Sequence, residues 1–256
     1  MRLARGLVLA ALGLIAVGLV FAWSFLGGAT IGKDTSFTIP AGASVSSVAE
    51  KLEAEGLISS APGFVLQARI FGSDRPIQQG EFLLTPDMSQ SDILAAFQSG
   101  DVIRRFVTIP EGMPSILVWE RLMAEELLTG EIAVPPEGSI LPDTYAFERG
   151  QTRQSLVEQM QAAMDKALAE EWAKRSPRIA VDTMREALIL ASIVEKETGK
   201  PEERRMVAGL YSNRVRTGML LQADPTIIYP ITKGKPLGRR IRQSEIAAVN
   251  GYNTYT

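Results

Sequence analysis

Phe37-Thr38-Ile39-Pro40-Ala41-Gly42 is followed by the helical stretch Val45 to Glu55. Seventy residues later Val107-Thr108-Ile109-Pro110-Glu111-Gly112 is followed by Ile116 to Leu128. Each copy reads as a short strand, a Pro/Gly turn and an amphipathic helix. In the first helix Val45, Val48, Ala49 and Leu52 recur at helical spacing, with Ser44 as N-cap and Gly56 as the stop. A third, weaker copy begins at Phe82-Leu83-Leu84-Thr85-Pro86. Ser89 caps its helix, Asp92 sits in the first turn, and Ile93, Leu94 and Phe97 form the apolar face. Short strands alternating with helices give an α+β chain.

Residues 29–105 read as a small α+β module in which Asp74, Arg75, Glu81 and Asp87 fall in turns as solvated surface. Two readings of it stay open: a spacer, or a module that binds a polymer close to a membrane. Residues 106–256 read as a second unit of α/β type. Ser155 to Trp172 is a long amphipathic helix ended by Ser176-Pro177. Thr183 caps the helix Arg185–Thr198, and Pro201 follows Gly199. Glu202 to Thr217 is a further helix closed by Gly218, Ile227-Ile228-Tyr229 a short strand, and Lys233 to Arg242 a basic, glycine-bearing mobile loop.

The N-terminus points to a membrane. Arg2 and Arg5 precede Gly6 to Gly27, a run without a charged residue. At about 1.5 Å per residue it crosses a bilayer core of roughly 30 Å. A cleaved signal peptide fits less well, because the run exceeds the usual apolar region of about 7–15 residues and no A-x-A site follows. Residues 1–28 are therefore expected to be a cytoplasmic stub and single-pass anchor, N-terminus inside, with everything from about residue 29 outside.

Composition narrows the chemistry. The chain of 256 residues has no histidine and no cysteine, and a formal net charge of −2. Imidazole acid/base catalysis, thiol nucleophiles and metal sites built on either ligand are excluded. The charge argues against a general nucleic-acid binder. Carboxylates are left as the leading candidates for chemistry, with neither cofactor nor metal expected.

One stretch places carboxylates in apolar surroundings: Ala187-Leu188-Ile189-Leu190-Ala191-Ser192-Ile193-Val194-Glu195-Lys196-Glu197-Thr198. Such surroundings raise a carboxyl pKa toward neutrality and make it a proton donor. Successive helical residues are about 100° apart, so Glu197 lies over Leu190, Ile193 and Val194, and Glu195 over Leu188, Ala191 and Ser192. The lining favours Glu197 slightly. Surface glutamates at a helix end remain an alternative at this point. Polar groups suited to sugar hydroxyls and amides crowd elsewhere: Asn213-Arg214, Gln222, Asp224, Thr226 and Tyr229 around Pro225, Leu141-Pro142-Asp143-Thr144-Tyr145, and the terminal Tyr252-Asn253-Thr254-Tyr255. Composition alone would make that last segment a frayed tail.

Taken together and in order, Ala191 to Thr198, Asn213-Arg214, Leu221-Gln222, Asp224-Pro225-Thr226, Tyr229, Tyr252 to Tyr255, Leu141 to Tyr145 and the anchor resemble the YceG-like family of endolytic murein transglycosylases. The resemblance implies a LysM-like module at 29–105, a catalytic domain at 106–256, and an inner-membrane protein working in the periplasm on peptidoglycan glycan strands. Peptidoglycan synthases are the candidate partners. It makes Glu197 catalytic and assigns Gln222, Asp224, Thr226, Tyr229, Asn253, Glu195 and Asn213 to substrate. It also implies that the family's catalytic domain continues past the position of Thr256, and that arginine is common where Leu220 stands. The implied reaction cuts the bond between N-acetylmuramic acid and N-acetylglucosamine within nascent strands, leaves 1,6-anhydro ends, and so terminates strand elongation. One carboxyl acts as acid and then as base, unlike the two-carboxylate scheme of ordinary glycosidases. The rival readings are a hydrolase using Asp224 as second carboxylate, and a non-catalytic peptidoglycan-binding scaffold.

Overall fold

A computed structural model describes residues 11–256 apart from Val17, Phe21, Ser24, Leu26 and Gly28. Part of the Gly6–Gly27 run thus lies outside the described residues, and so do Arg2 and Arg5. Within it, 11–16 and 18–20 are helical. Among the described residues no helix is long and apolar enough to cross a membrane. The chain divides after Arg105 into two compact units.

The first unit contains β1 (Thr35–Ile39), α1 (Val45–Ala54), α2 (Ala61–Phe71), β2 (Gly80–Leu84) and α3 (Gln90–Ser99). β1 and β2 pair antiparallel, with Phe37 opposite Phe82. The anticipated caps form: Ser44 Oγ accepts from Ser47 N–H at 3.1 Å, and Ser89 Oγ from Asp92 N–H at 3.1 Å. α2 opens with Pro62 and Gly63, which interrupt the helical pattern in sequence but fit a first turn capped by Ser60. Phe97 is the hub of the core. Its ring stacks on Phe37 at 5.6 Å and meets Phe82 edge-on at 4.9 Å. Glu81 is not solvated surface. It lies on β2, 2% exposed, with its carboxylate 2.7 Å from Arg105 Nη1 and accepting from Ser36 Oγ. A carboxylate is tolerated at such depth only when paired.

The second unit contains β3 (Arg105–Thr108), α4 (Ser115–Ala124), β4 (Thr144–Phe147), α5 (Arg153–Ala173), α6 (Met184–Glu197), α7 (Pro201–Thr217), α8 (Asp224–Thr232) and α9 (Gln243–Ile246). β3 pairs with β4, and among the described residues of this unit no wider sheet forms. The expected α/β layering is therefore replaced by helices around a two-stranded ribbon. The Ile227-Ile228-Tyr229 strand is instead part of α8. Pro225 in the first turn and Asp224 at the positive end of the helix outweigh the β-branched pair, and Ile227 becomes a buried helical residue.

Two cores hold the unit. Val107, Ile109, Val118, Leu122, Tyr145, Phe147, Leu156 and Met160 join the ribbon to α4 and the start of α5. Ile193, Val194, Tyr211 and Ala223 join α6 to α7 and the entry to α8. Arg153, 9% exposed, ends α4 at Ala124, four residues before the sequence pattern runs out. Its guanidinium donates to the carbonyls of Leu122, Glu125 and Gly130, each at 2.7 Å, and Met123 at 3.2 Å, satisfying acceptors that a helix end leaves open.

Phe97→Ala removes the shared ring of the first core. We expect it to lower stability by about 3–5 kcal/mol, read as a lower urea midpoint in far-UV circular dichroism.

Candidate active site

Helix α6 starts in a capping box, with Thr183 Oγ1 accepting from Glu186 N–H at 3.2 Å and Glu186 Oε2 from Thr183 N–H at 2.9 Å. It ends at Glu197, beyond the last core contacts of Ile193 and Val194. Thr198 then turns the chain into α7, its hydroxyl donating to Glu203 at 2.9 Å and accepting from Lys200 N–H at 3.1 Å. Glu197 is exposed, which corrects the apolar lining anticipated for it. Ile193 and Val194 give their surface to Tyr211 and Ala223 instead.

The first glutamate of the segment is held by other residues of the unit. Glu195 Oε2 lies 3.2 Å from Arg204 Nη2, which also sits 3.5 Å from Glu111. The Glu195 side chain rests on Gly112, where φ is +66° and a Cβ would stand 3.1 Å from Glu195 Cγ. A side chain there is disfavoured by both conformation and space. Glu195 thus ties α6, α7 and the turn after β3 together.

Around Glu197 gather Tyr211 and Arg214 of α7, Asp224 at the start of α8, and Tyr255 of the terminal segment. Tyr211 is 5% exposed. Burial, then the negative charge of Glu197 and a hydrogen bond with it, push its phenol up to about 12. Tyr255 Oη donates to Asp224 Oδ1 at 2.6 Å. That bond, burial and the charges of Asp224 and Glu197 push Tyr255 up to about 12 as well. Arg214 opposes both shifts, lies 5.9 Å from the Tyr211 ring centre and donates to Leu221 O.

Of the residues assigned to substrate, Asp224 joins this cluster. Asn213 is exposed and accepts from Arg216 Nη1 at 3.1 Å, while Arg216 donates to Arg178 O at 2.7 Å. Asn213 lies about 100° round the helix from Arg214, so α7 turns one of the pair to the cluster and the other away. Tyr229 stacks at 4.9 Å, tilted, against Tyr252, and is pushed up to about 12 by burial and by Glu137. Glu137 in turn accepts from Ser115 N–H at 3.0 Å, at the N-terminus of α4. Tyr145 is buried in the core with its hydroxyl donated to Leu141 O at 2.7 Å.

The terminal segment is pinned rather than frayed. Thr254 O accepts from Gln222 N–H and Thr254 Oγ1 from Ala223 N–H, both at 3.0 Å, with Thr226 Oγ1 2.9 Å from Thr254 Oγ1. Gln222 adopts φ +53°, a left-handed conformation that costs a non-glycine residue energy and persists where neighbours enforce it. Asn253 Nδ2 donates to Ile246 O at 2.9 Å and Ala248 O at 2.6 Å, and its Oδ1 accepts from Tyr255 N–H at 2.8 Å. Asn253 and Thr226 thereby set where Tyr255 stands. Among the described residues no three carboxylates are grouped as metal ligands.

Tyr211 escaped the sequence reading, although its spacing of three from Arg214 puts the two on one helical face. An exposed carboxylate beside phenols, a guanidinium and a second carboxylate has the groups that acid–base work on a polar, hydroxyl-rich ligand would need. Residues 37–256 match the profile of the YceG-like family, and the chain belongs to that family. It is 28% identical over 272 residues to an endolytic murein transglycosylase of Streptococcus pneumoniae, covering 87% of this chain and 48% of the relative. The chain thus spans about half the length of that relative. A protein of the same name from Bacillus subtilis is 24% identical, over 87% of this chain and 71% of its own length. A solved structure titled as a putative yceG-like protein of Listeria monocytogenes aligns with a TM-score of 0.46 at 23% identity, over 88% of this chain and 83% of that one.

Two measurements check this geometry. Asn253→Ala should free the terminal segment, speeding amide exchange at Tyr255 and lowering stability by about 2–4 kcal/mol for three lost hydrogen bonds. The phenols of Tyr211, Tyr229 and Tyr255 hold their protons more tightly folded than unfolded, where the pKa is 10.0. Their contribution is complete below pH 10.0 and is lost as pH rises toward about 12, so alkaline unfolding should accompany tyrosinate absorbance across that window.

Proposed function

We propose that this chain is the transglycosylase part of a membrane-anchored endolytic murein transglycosylase, with Glu197 as its acid and base. The observation that carries the reading is the meeting of separate motifs on Glu197: Tyr211 from α7, and the Tyr255–Asp224 pair from the terminal segment and α8. Membership of the YceG-like family and relatives named for this activity support it.

Protonated Glu197 donates its proton to the glycosidic oxygen linking N-acetylmuramic acid to N-acetylglucosamine. As that C1–O bond breaks, the C6 hydroxyl oxygen of the muramic residue bonds to C1 and gives its proton to the Glu197 carboxylate. The glutamic acid is regenerated, no water is consumed, and a 1,6-anhydro end remains. A glycan laid over the exposed carboxyl displaces water, and desolvation favours the protonated acid. The Tyr211 hydroxyl holds the carboxylate between the two proton transfers. Asp224, Gln222 and the Tyr229–Tyr252 pair serve the sugar hydroxyls, amides and ring faces. Thr226 and Asn253 act by holding the terminal segment.

The Gly6–Gly27 run is the inner-membrane anchor. Its described side chains Leu12, Leu14, Ile15, Leu19, Val20 and Trp23 are exposed, as they would be in lipid, and Phe25 near its end is buried. Residues 29–105 then act as a LysM-like glycan-binding module outside the membrane. A two-carboxylate hydrolase is the second reading, favoured by the proximity of Asp224 and Glu197 to the same Tyr255 hydroxyl.

Digestion of purified peptidoglycan separates them. Glu197→Gln should reduce product release by about 10²–10⁴-fold, the usual worth of a general acid–base group. Wild-type products should have the anhydro mass. Products heavier by one water, lost equally in Glu197→Gln and Asp224→Asn, would establish the hydrolase, and undiminished release by Glu197→Gln would remove Glu197 from the chemistry.

A further inference from the structure

Helix α2 has two different sides. Ala61, Phe64 and Gln67 are buried in the first core, whereas Leu66, Ile70 and Phe71 are 50%, 57% and 50% exposed. Pro62, Leu66 and Ile70 follow at intervals of four and so form a stripe along the helix, with exposed Arg69 beside it. A single exposed leucine is ordinary, but a continuous apolar stripe reaching the end of a helix marks a surface that something covers.

Phe25 indicates what covers it. Its ring is 3% exposed and stacks on Phe71, the last residue of α2, at 5.8 Å. Immediately before it come the exposed side chains of the apolar run, ending in Trp23 at 76% exposure. Immediately after it the chain is pinned to the module. Ala29 N–H donates to Met88 O at 2.9 Å, Thr30 N–H to Leu57 O at 3.2 Å, and Thr30 Oγ1 to Gly56 O at 2.6 Å. Among the described residues, Phe25 at the end of the apolar run is held at the C-terminal end of α2, and Ala29, four positions on, is already bonded to the module.

We infer that the Leu66–Ile70 face of α2 rests on the lipid surface where the apolar run leaves the bilayer. The inference depends on the reading of Gly6–Gly27 as a membrane span and extends it from a tether to a fixed seat. Apolar helix faces settle about 5–10 Å into the boundary between headgroups and acyl chains. Arg69 lays its stem along the same stripe and presents its guanidinium to lipid phosphates.

The absence of cysteine makes the test direct. Full-length variants Leu14→Cys, Leu66→Cys, Ile70→Cys and Glu53→Cys each carry one environment-sensitive fluorophore. Glu53 is an exposed residue of α1 away from the stripe. They are reconstituted in phosphatidylethanolamine/phosphatidylglycerol vesicles containing phosphatidylcholine brominated at shallow acyl carbons. Labels at 14, 66 and 70 should shift to the blue and lose emission to bromine, with the losses at 66 and 70 approaching that at 14, while the label at 53 does neither. Quenching at 14 with none at 66 or 70 would overturn the seat and leave the anchor standing. No quenching at 14 would overturn the anchor and the seat with it. A blue shift at 66 and 70 without quenching, in detergent and vesicles alike, would assign the face to a second protein surface and likewise overturn the inference.

Discussion

The hydrogen bonds between Thr254 and the entry to α8 are the constraint on which the candidate site depends. Backbone and hydroxyl contacts to Gln222, Ala223 and Thr226 join a segment without regular structure to a helix start. Asn253 then passes that order to Tyr255 through its side-chain carbonyl. None of these groups is charged, so the attachment does not weaken with salt as surface ion pairs do. Gln222 holds a left-handed backbone to allow this closeness, and the strain falls at the candidate site.

The α+β class was legible because caps and stop signals act locally. Ser44, Ser89, Thr183 and Gly218 all sit where the sequence pattern placed them, since each satisfies backbone groups within a few residues. What sequence missed was decided at a distance. Glu81 looked like a turn residue because its partner Arg105 lies 24 positions on. α4 stops early because Arg153, far along the chain, takes up its carbonyls. Ile227-Ile228-Tyr229 is the local exception, where strand propensity and the helix-start signals of Asp224 and Pro225 compete within six residues and the helix start prevails.

The candidate site was legible in its membership more than in its arrangement. Glu197 and Asp224 were singled out and do share a neighbour in Tyr255. Helical phase could not say which flank of the Glu-Lys-Glu segment packs inward, because that depends on where α7 and the turn after β3 lie. Glu195 faces Gly112 and Arg204, and Glu197 is left to solvent and the phenols. Asn213 and Arg214 were indistinguishable as neighbours in a motif, and only the packing of α7 separates them.

The raised phenols have a consequence for how protons are counted. With Tyr211 and Tyr255 held near 12, and no imidazole or thiol anywhere in the chain, the hydroxyls of the cluster keep their hydrogens throughout the neutral range. In the proposed reaction that leaves the carboxyl groups there to gain and lose the proton. In that reaction the phenols would act as fixed dipoles, a solvent built into the protein and already oriented toward Glu197.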